Sequence, residues 1–187
     1  IPVLSDKFPA WPMANKFRLT TFARHYEQTL YLDCDVVIRP NAPDIFERVP
    51  VGKWGLVDEK RLIGESNYHR DVETIAKRFG YDLPDWCPNG GVMIVPQNCD
   101  EYLPPETPFP VQWCFDQSWL ACRLKNWVAI DDRFNWMHIR KDYQAGLDDA
   151  WFVHLNGTSK TERLEMLQKL VESCGMQNTE CKMQNAK

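Results

Sequence analysis

Leu30-Tyr31-Leu32-Asp33-Cys34-Asp35-Val36-Val37-Ile38 is an apolar run broken by two carboxylates. The run reads as a core strand over 29–38. Unpaired charge in a core is costly. A divalent cation, which takes oxygen ligands, resolves the conflict. At a side-chain period of 2, Asp33 and Asp35 project to the same side of an extended chain, so both can reach one ion. The stretch therefore reads as a strand end with a metal site, and the metal points to a phosphate-bearing ligand.

Outward from this strand, helices and strands alternate. Upstream, residues 1–12 are Pro-rich and irregular, and 14–27 read as a helix with Leu19, Phe22, Ala23 and Tyr26 on one face. Downstream, Lys53–Val57 reads as a strand and Tyr68–Phe79 as a helix stopped by Gly80. Gly91–Val95 reads as a buried strand, and the Pro-rich stretch 96–110 as a loop. Gln112–Leu124 follows as a helix, then strands at Trp127–Ile130 and Trp151–Leu155, then a helix at Thr158–Ser173. This pattern predicts an α/β fold with a mixed, mostly parallel sheet flanked by helices. In such sheets ligands bind beyond the carboxyl ends of the strands, where the D-x-D pair and His154 both fall.

The 187 residues fit one domain, expected over 1–175, with 176–187 as a polar, disordered tail. A net charge of -4 without a basic block argues against nucleic acid as a partner. No apolar stretch approaches the ~20 residues of a membrane span. Seven cysteines, an odd number without a C-x-x-C, read as reduced thiols rather than a zinc site or a disulfide scaffold, and imply a cytoplasmic location.

Three further groups bear chemistry. His154-Leu155-Asn156-Gly157-Thr158-Ser159-Lys160 joins an imidazole, a Gly turn, a helix start and a lysine. Helix N-termini accept phosphate, and an imidazole alongside carboxylates suits manganese. The alternative is a capped helix with Lys160 in solvent. Pro88-Asn89-Gly90-Gly91 allows a close backbone approach to a ligand, or forms a plain turn. Asp116-Gln117 lies among Trp113, Phe115 and Trp119, a setting suited to sugar hydroxyls and ring faces, or to an ordinary helix.

In order, D-x-D, N-x-G, D-Q and H-x-x-G-x-x-K resemble glycosyltransferase family 8, retaining enzymes of the GT-A fold that include glycogenins and bacterial galactosyltransferases. The resemblance covers roughly residues 14–160. It implies a GT-A-like nucleotide-diphospho-sugar transferase fold and a hexosyltransferase that moves a sugar from a nucleotide-diphosphate sugar, a UDP-sugar, to a carbohydrate or other hydroxyl acceptor. Asp33, Asp35 and His154 would hold Mn²⁺, with Mg²⁺ as a substitute. Gly157 and Lys160 would contact the diphosphate. Asn89, Gly90, Asp116 and Gln117 would hold the donor sugar. Lys16, with Arg18 as fallback, falls where the family places a basic residue. Retention would follow either same-face attack or a transient nucleophile, for which Asp116 is better charged than Gln117.

Two positions depart from the family pattern. Ser118 follows the D-Q pair where an acidic residue is usual. Only 32 residues precede Asp33, so the domain is expected to be N-terminally short, with an incomplete base and ribose pocket. Two rival readings stand beside this one. One is a non-catalytic nucleotide-sugar-binding domain. The other is a haloacid dehalogenase-type phosphatase with Asp33 as nucleophile and Asp131-Asp132 as its later acidic pair.

Overall fold

A computed structural model describes residues 16–64, 67–105 and 114–173. The expected tail, the segment 1–12, the starts of the helices read at 14 and 112, Cys174 and Cys181 lie outside these residues.

The chain forms two sheets with helices against them. The first has strand order β1-β4-β3-β5, from Gln28–Leu32 (β1), Pro88–Pro96 (β4), Trp54–Asp58 (β3) and Trp127–Ala129 (β5). The second has order β2-β7-β6, from Val36–Ile38 (β2), Phe152–His154 (β7) and Trp136–Met137 (β6). Pairing is mixed, as expected, but not mostly parallel. β1·β4, β3·β4 and β2·β7 are antiparallel, whereas β3·β5 and β6·β7 are parallel. Strand–helix alternation leaves direction open, because a long connection can return the chain either way.

Strand β4 is buried along its whole length. Met93 and Val95 pack toward one core with Trp54, Leu56, Ile75, Phe115 and Trp119, while Val92 and Ile94 pack toward another with Val57, Ile130, Phe134 and Phe152. This two-sided burial explains why the stretch reads as an unbroken apolar run. Each such buried aliphatic side chain contributes about 1.5–3 kcal/mol.

The run 29–38 is not one strand. β1 ends at Leu32, a turn closes with the Val36 N–H donating to Asp33 O at 3.2 Å, and β2 starts in the other sheet. The polar pair breaks the strand because its carboxylates turn to Lys16, His154 and Arg163 rather than into the apolar core. Two more differences come from packing. The first described helix, α1, spans only Leu19–Ala23, and Phe22 and Tyr26 are exposed. Helix α2 (Glu59–Ile63) and strand β6 are too short to show a period.

Helices α3 (Asn67–Phe79), α4 (Phe115–Arg123) and α6 (Lys160–Ser173) match the expected positions; a short α5 covers Tyr143–Gly146. Gly80 has φ 70° directly after α3, the left-handed stop its sequence implies. On α6, Leu170 is buried and Leu167 packs beside it, but Leu164 is exposed. Cys34, Cys87, Cys99 and Cys122 are free thiols. No helix among the described residues is long and apolar enough to cross a membrane.

Candidate metal and sugar-nucleotide site

The turn between β1 and β2 holds Asp33 and Asp35 at the seam of the two sheets, and His154 ends β7 opposite Val36. One ligand atom from each of Asp33, Asp35 and His154 lies within 4.8 Å of the others. His154 Nε2 is 3.4 Å from Asp35 Oδ1 and 3.8 Å from Asp33 Oδ2. Gly91 makes room for the ring, since a Cβ there would overlap the imidazole.

The imidazole tautomer is fixed by a chain that starts at a backbone amide. Gly91 N–H donates to Asn89 Oδ1 at 2.9 Å. That oxygen also accepts from Asn135 Nδ2 at 2.9 Å, which turns Asn135 Oδ1 toward His154 Nδ1, again at 2.9 Å. His154 therefore donates from Nδ1, and in the neutral ring Nε2 keeps its lone pair toward the carboxylates. This is the arrangement of a metal-ligating histidine oriented by an outer partner. The far end of the chain is Asn89 Nδ2, which donates to Glu59 Oε2 at 2.6 Å. Glu59 is 2% exposed, and burial pushes its carboxyl up to about 7.

Lys16 ties Asp33 to Gly90 and Asp116. Its Nζ lies 3.0 Å from Asp33 Oδ1, 3.2 Å from Gly90 O and 3.5 Å from Asp116 Oδ2. Burial works against the ammonium, but Asp116 and Asp33 outweigh it and raise the Lys16 pKa. Arg18, the fallback, is exposed. Burial drives the Asp116 carboxyl up, with Lys16 opposing. Gly90 N–H donates to Gln117 Oε1 at 2.9 Å, and a Cβ on Gly90 would sit 3.2 Å from Asp116 Oδ2. Tyr31 donates its hydroxyl to Asp33 Oδ1 at 2.7 Å; burial and then the Asp33 charge push the phenol well up. A cavity of about 350 Å³ lined by Lys16, Arg18, Leu19, Phe22 and Tyr31 opens beside this group.

The structure thus brings Lys16, Asp33, Asp35, Asn89, Gly90, Asp116, Gln117 and His154 into one connected cluster. Gly157, with φ 75°, turns the chain after His154, and Lys160 is exposed at the start of α6. The helix start is occupied: Ser159 N–H donates to Glu162 Oε2 at 2.9 Å and Glu162 N–H to Ser159 Oγ at 3.3 Å, a capping box. Asp131 and Asp132 are engaged elsewhere, with Arg133 and Arg140.

Sequence reading missed Asn135, Glu59 and Arg163. The first two carry the signal that marked the D-x-D pair, a polar group in or directly after an apolar run: Phe134-Asn135-Trp136-Met137 and Leu56-Val57-Asp58-Glu59. Arg163 has no such mark, yet its Nη1 is 3.2 Å from Asp35 Oδ2. With the His154 ring protonated, its hydrogen bond and, after it, the Arg163 charge outweigh burial and hold the Asp35 carboxyl below the usual range.

No family model matches the chain, and no curated protein does. Solved structures share its fold. It is similar to the apo WbbM bifunctional glycosyltransferase (TM-score 0.54, 14% identity), over 78% of this chain and 31% of that one. It is similar to the galactosyltransferase LgtC in complex with donor and acceptor sugar analogs (TM-score 0.54, 13% identity), over 88% and 66%. A glycosyltransferase involved in glycosylation of the major capsid of PBCV-1 matches at TM-score 0.52 and 19% identity, over 86% and 78%. The chain spans about a third of WbbM and just under two thirds of LgtC. Its fold is the GT-A-like fold of these glycosyltransferases.

Proposed function

We propose that this chain is a glycosyltransferase domain of family 8 type, which passes a sugar from a UDP-sugar to a hydroxyl of a glycan or other acceptor with retention of configuration. One observation carries the reading: two carboxylates and an imidazole with an oriented lone pair converge within 4.8 Å at the sheet seam. That donor set suits Mn²⁺, with Mg²⁺ second. Asp33, Asp35 and His154 would hold the ion, which when bound supplies charge to stabilise the departing diphosphate.

The chain's own residues do the rest. Lys16 orients Asp33 and Asp116 together. Gln117, pinned through Oε1 to Gly90 N–H, is buried beside Glu59, whose carboxyl it helps hold down, and fixes the turn of backbone at the sugar end. Asn89 and Gly90 stand at the sugar end; Gly157 and Lys160 stand at the diphosphate end. Asp116 carries the charge that a transient nucleophile needs, whereas Gln117 serves to orient the donor.

One observation favours a second reading, a nucleotide-sugar-binding module without turnover. Asn89, Asp116 and Gln117 are only 3%, 1% and 6% exposed. Thermal stabilisation by Mn²⁺ with UDP, followed by a UDP-sugar hydrolysis assay, separates the two. Stabilisation with hydrolysis supports the transferase, and stabilisation alone supports the module. Hydrolysis of a phosphate monoester with Mg²⁺ would support the phosphatase instead. Asp35→Ala and His154→Ala are each expected to abolish Mn²⁺-dependent UDP binding in a folded protein. Unchanged affinity in both variants would remove the site assignment.

A further inference from the structure

Arg163 lies in the first turn of α6, and its guanidinium reaches back over the loop after His154. Nε is 3.2 Å from Thr158 Oγ1, and Nη2 donates to Thr158 O at 3.1 Å. Thr158 is itself fixed, its hydroxyl donating to Leu155 O at 2.6 Å. The third contact is the ion pair from Nη1 to Asp35 Oδ2. A guanidinium has five N–H donors, so two remain uncommitted. The side chain is 34% exposed and can meet a ligand.

Asp35 is thus shared. Oδ2 faces Arg163 while Oδ1 faces His154 Nε2, within the three-residue cluster. A dication joining Asp35 would stand beside a guanidinium that already holds the same carboxylate. Two cations on one carboxylate repel each other unless an anion lies between them. A diphosphate supplies that anion, and the planar fork of arginine matches phosphate oxygens. The capping box leaves the α6 N-terminus to Glu162, so the fixed positive charge here comes from a side chain.

We propose that Arg163 is a diphosphate-binding residue that holds Asp35 in the free protein and turns its free N–H groups to a phosphate oxygen when a divalent cation takes Asp35. The inference rests on the reading of Asp33, Asp35 and His154 as a metal–diphosphate site.

Two affinities test it: Mn²⁺ alone, by electron paramagnetic resonance, and UDP at saturating Mn²⁺, by calorimetry. Removing a competing cation from Asp35 should tighten Mn²⁺ alone in Arg163→Ala, by about threefold or more, while UDP weakens by about tenfold or more. Arg163→Lys, which keeps the charge but not the fork, should bind UDP between wild type and Arg163→Ala. If Arg163→Ala fails to fold, weakened UDP binding in Arg163→Lys with Mn²⁺ affinity retained supports the proposal. Unchanged UDP affinity in folded variants, or a parallel loss of both affinities, overturns the role of Arg163 and leaves the metal site standing. A wild type that binds neither Mn²⁺ nor UDP overturns the site reading, and this inference with it.

Discussion

Asn135 Oδ1 lies 2.9 Å from His154 Nδ1, and this contact decides which nitrogen of the imidazole faces the two aspartates. Asn135→Leu removes the acceptor and leaves a buried N–H unpaired. Losing such an outer partner costs about 10–100-fold in metal affinity. Mn²⁺ titration of the folded variant is expected to show a loss in that range, although Asn135 is not itself a metal ligand. An affinity within twofold of wild type would mean that the ring is held by packing alone.

Glu59 gives a pH signature. Its folded-state pKa of about 7 stands above the ordinary 4.5, with burial as the first cause. Between those values the folded state binds more protons than the unfolded chain. Stability therefore falls as pH rises through that window and levels off above it, by roughly 3 kcal/mol in all. Glu59→Gln keeps an acceptor for Asn89 but cannot ionise. Urea unfolding should find the two proteins alike near pH 4.5 and the variant more stable at pH 8. Parallel stability–pH curves would contradict the assignment.

Gly91 is where strand and ring meet. A Cβ there overlaps the imidazole of His154, so Gly91→Ala must displace the ring or the strand. Overpacking of this kind costs about 1–3 kcal/mol. The variant should melt lower and bind Mn²⁺ weakly. Wild-type melting together with wild-type Mn²⁺ affinity would show that the ring has room to spare.

Lys16 is the counter-charge for buried Asp116. Lys16→Met leaves that carboxylate uncompensated, and breaking such a pair costs about 3–5 kcal/mol. The Asp116 carboxyl, already raised by burial, rises further once Lys16 is gone. A raised acid loses stability as pH climbs, so the melting deficit should be larger at pH 8 than at pH 5. Lys16→Met with Asp116→Asn should recover most of it. A deficit independent of pH would place the cost in packing.

The parts of this architecture legible in sequence are those with long periods or costly residues. Helix α3 was readable because its thirteen residues repeat one pattern, and Gly91–Val95 because it is apolar throughout; the start of β4, Pro88–Gly90, read as a turn because Asn89 and Gly90 carry no strand pattern. Asp33, Asp35 and His154 were readable because polar groups in apolar runs demand a reason. The break between Leu32 and Val36 was not readable, since an apolar run looks the same whether it stays in one sheet or crosses to another. Arg163 escaped because the distance from α6 to Asp35 exists only in three dimensions. Glu59 escaped because its partner Asn89 is thirty positions away.

The crossing at Asp33–Val36 gives the site a mechanical meaning. Asp33 N–H donates to Gly91 O in the first sheet at 2.8 Å, and Leu155 N–H in the second donates to Asp35 O at 3.0 Å. A ligand that grips Asp33, Asp35 and His154 together would act as a rivet through both sheets. Occupancy would then be written into amide exchange. The N–H groups of Asp33 and Leu155 would slow together on loading, so two backbone protons report whether the seam is open or closed.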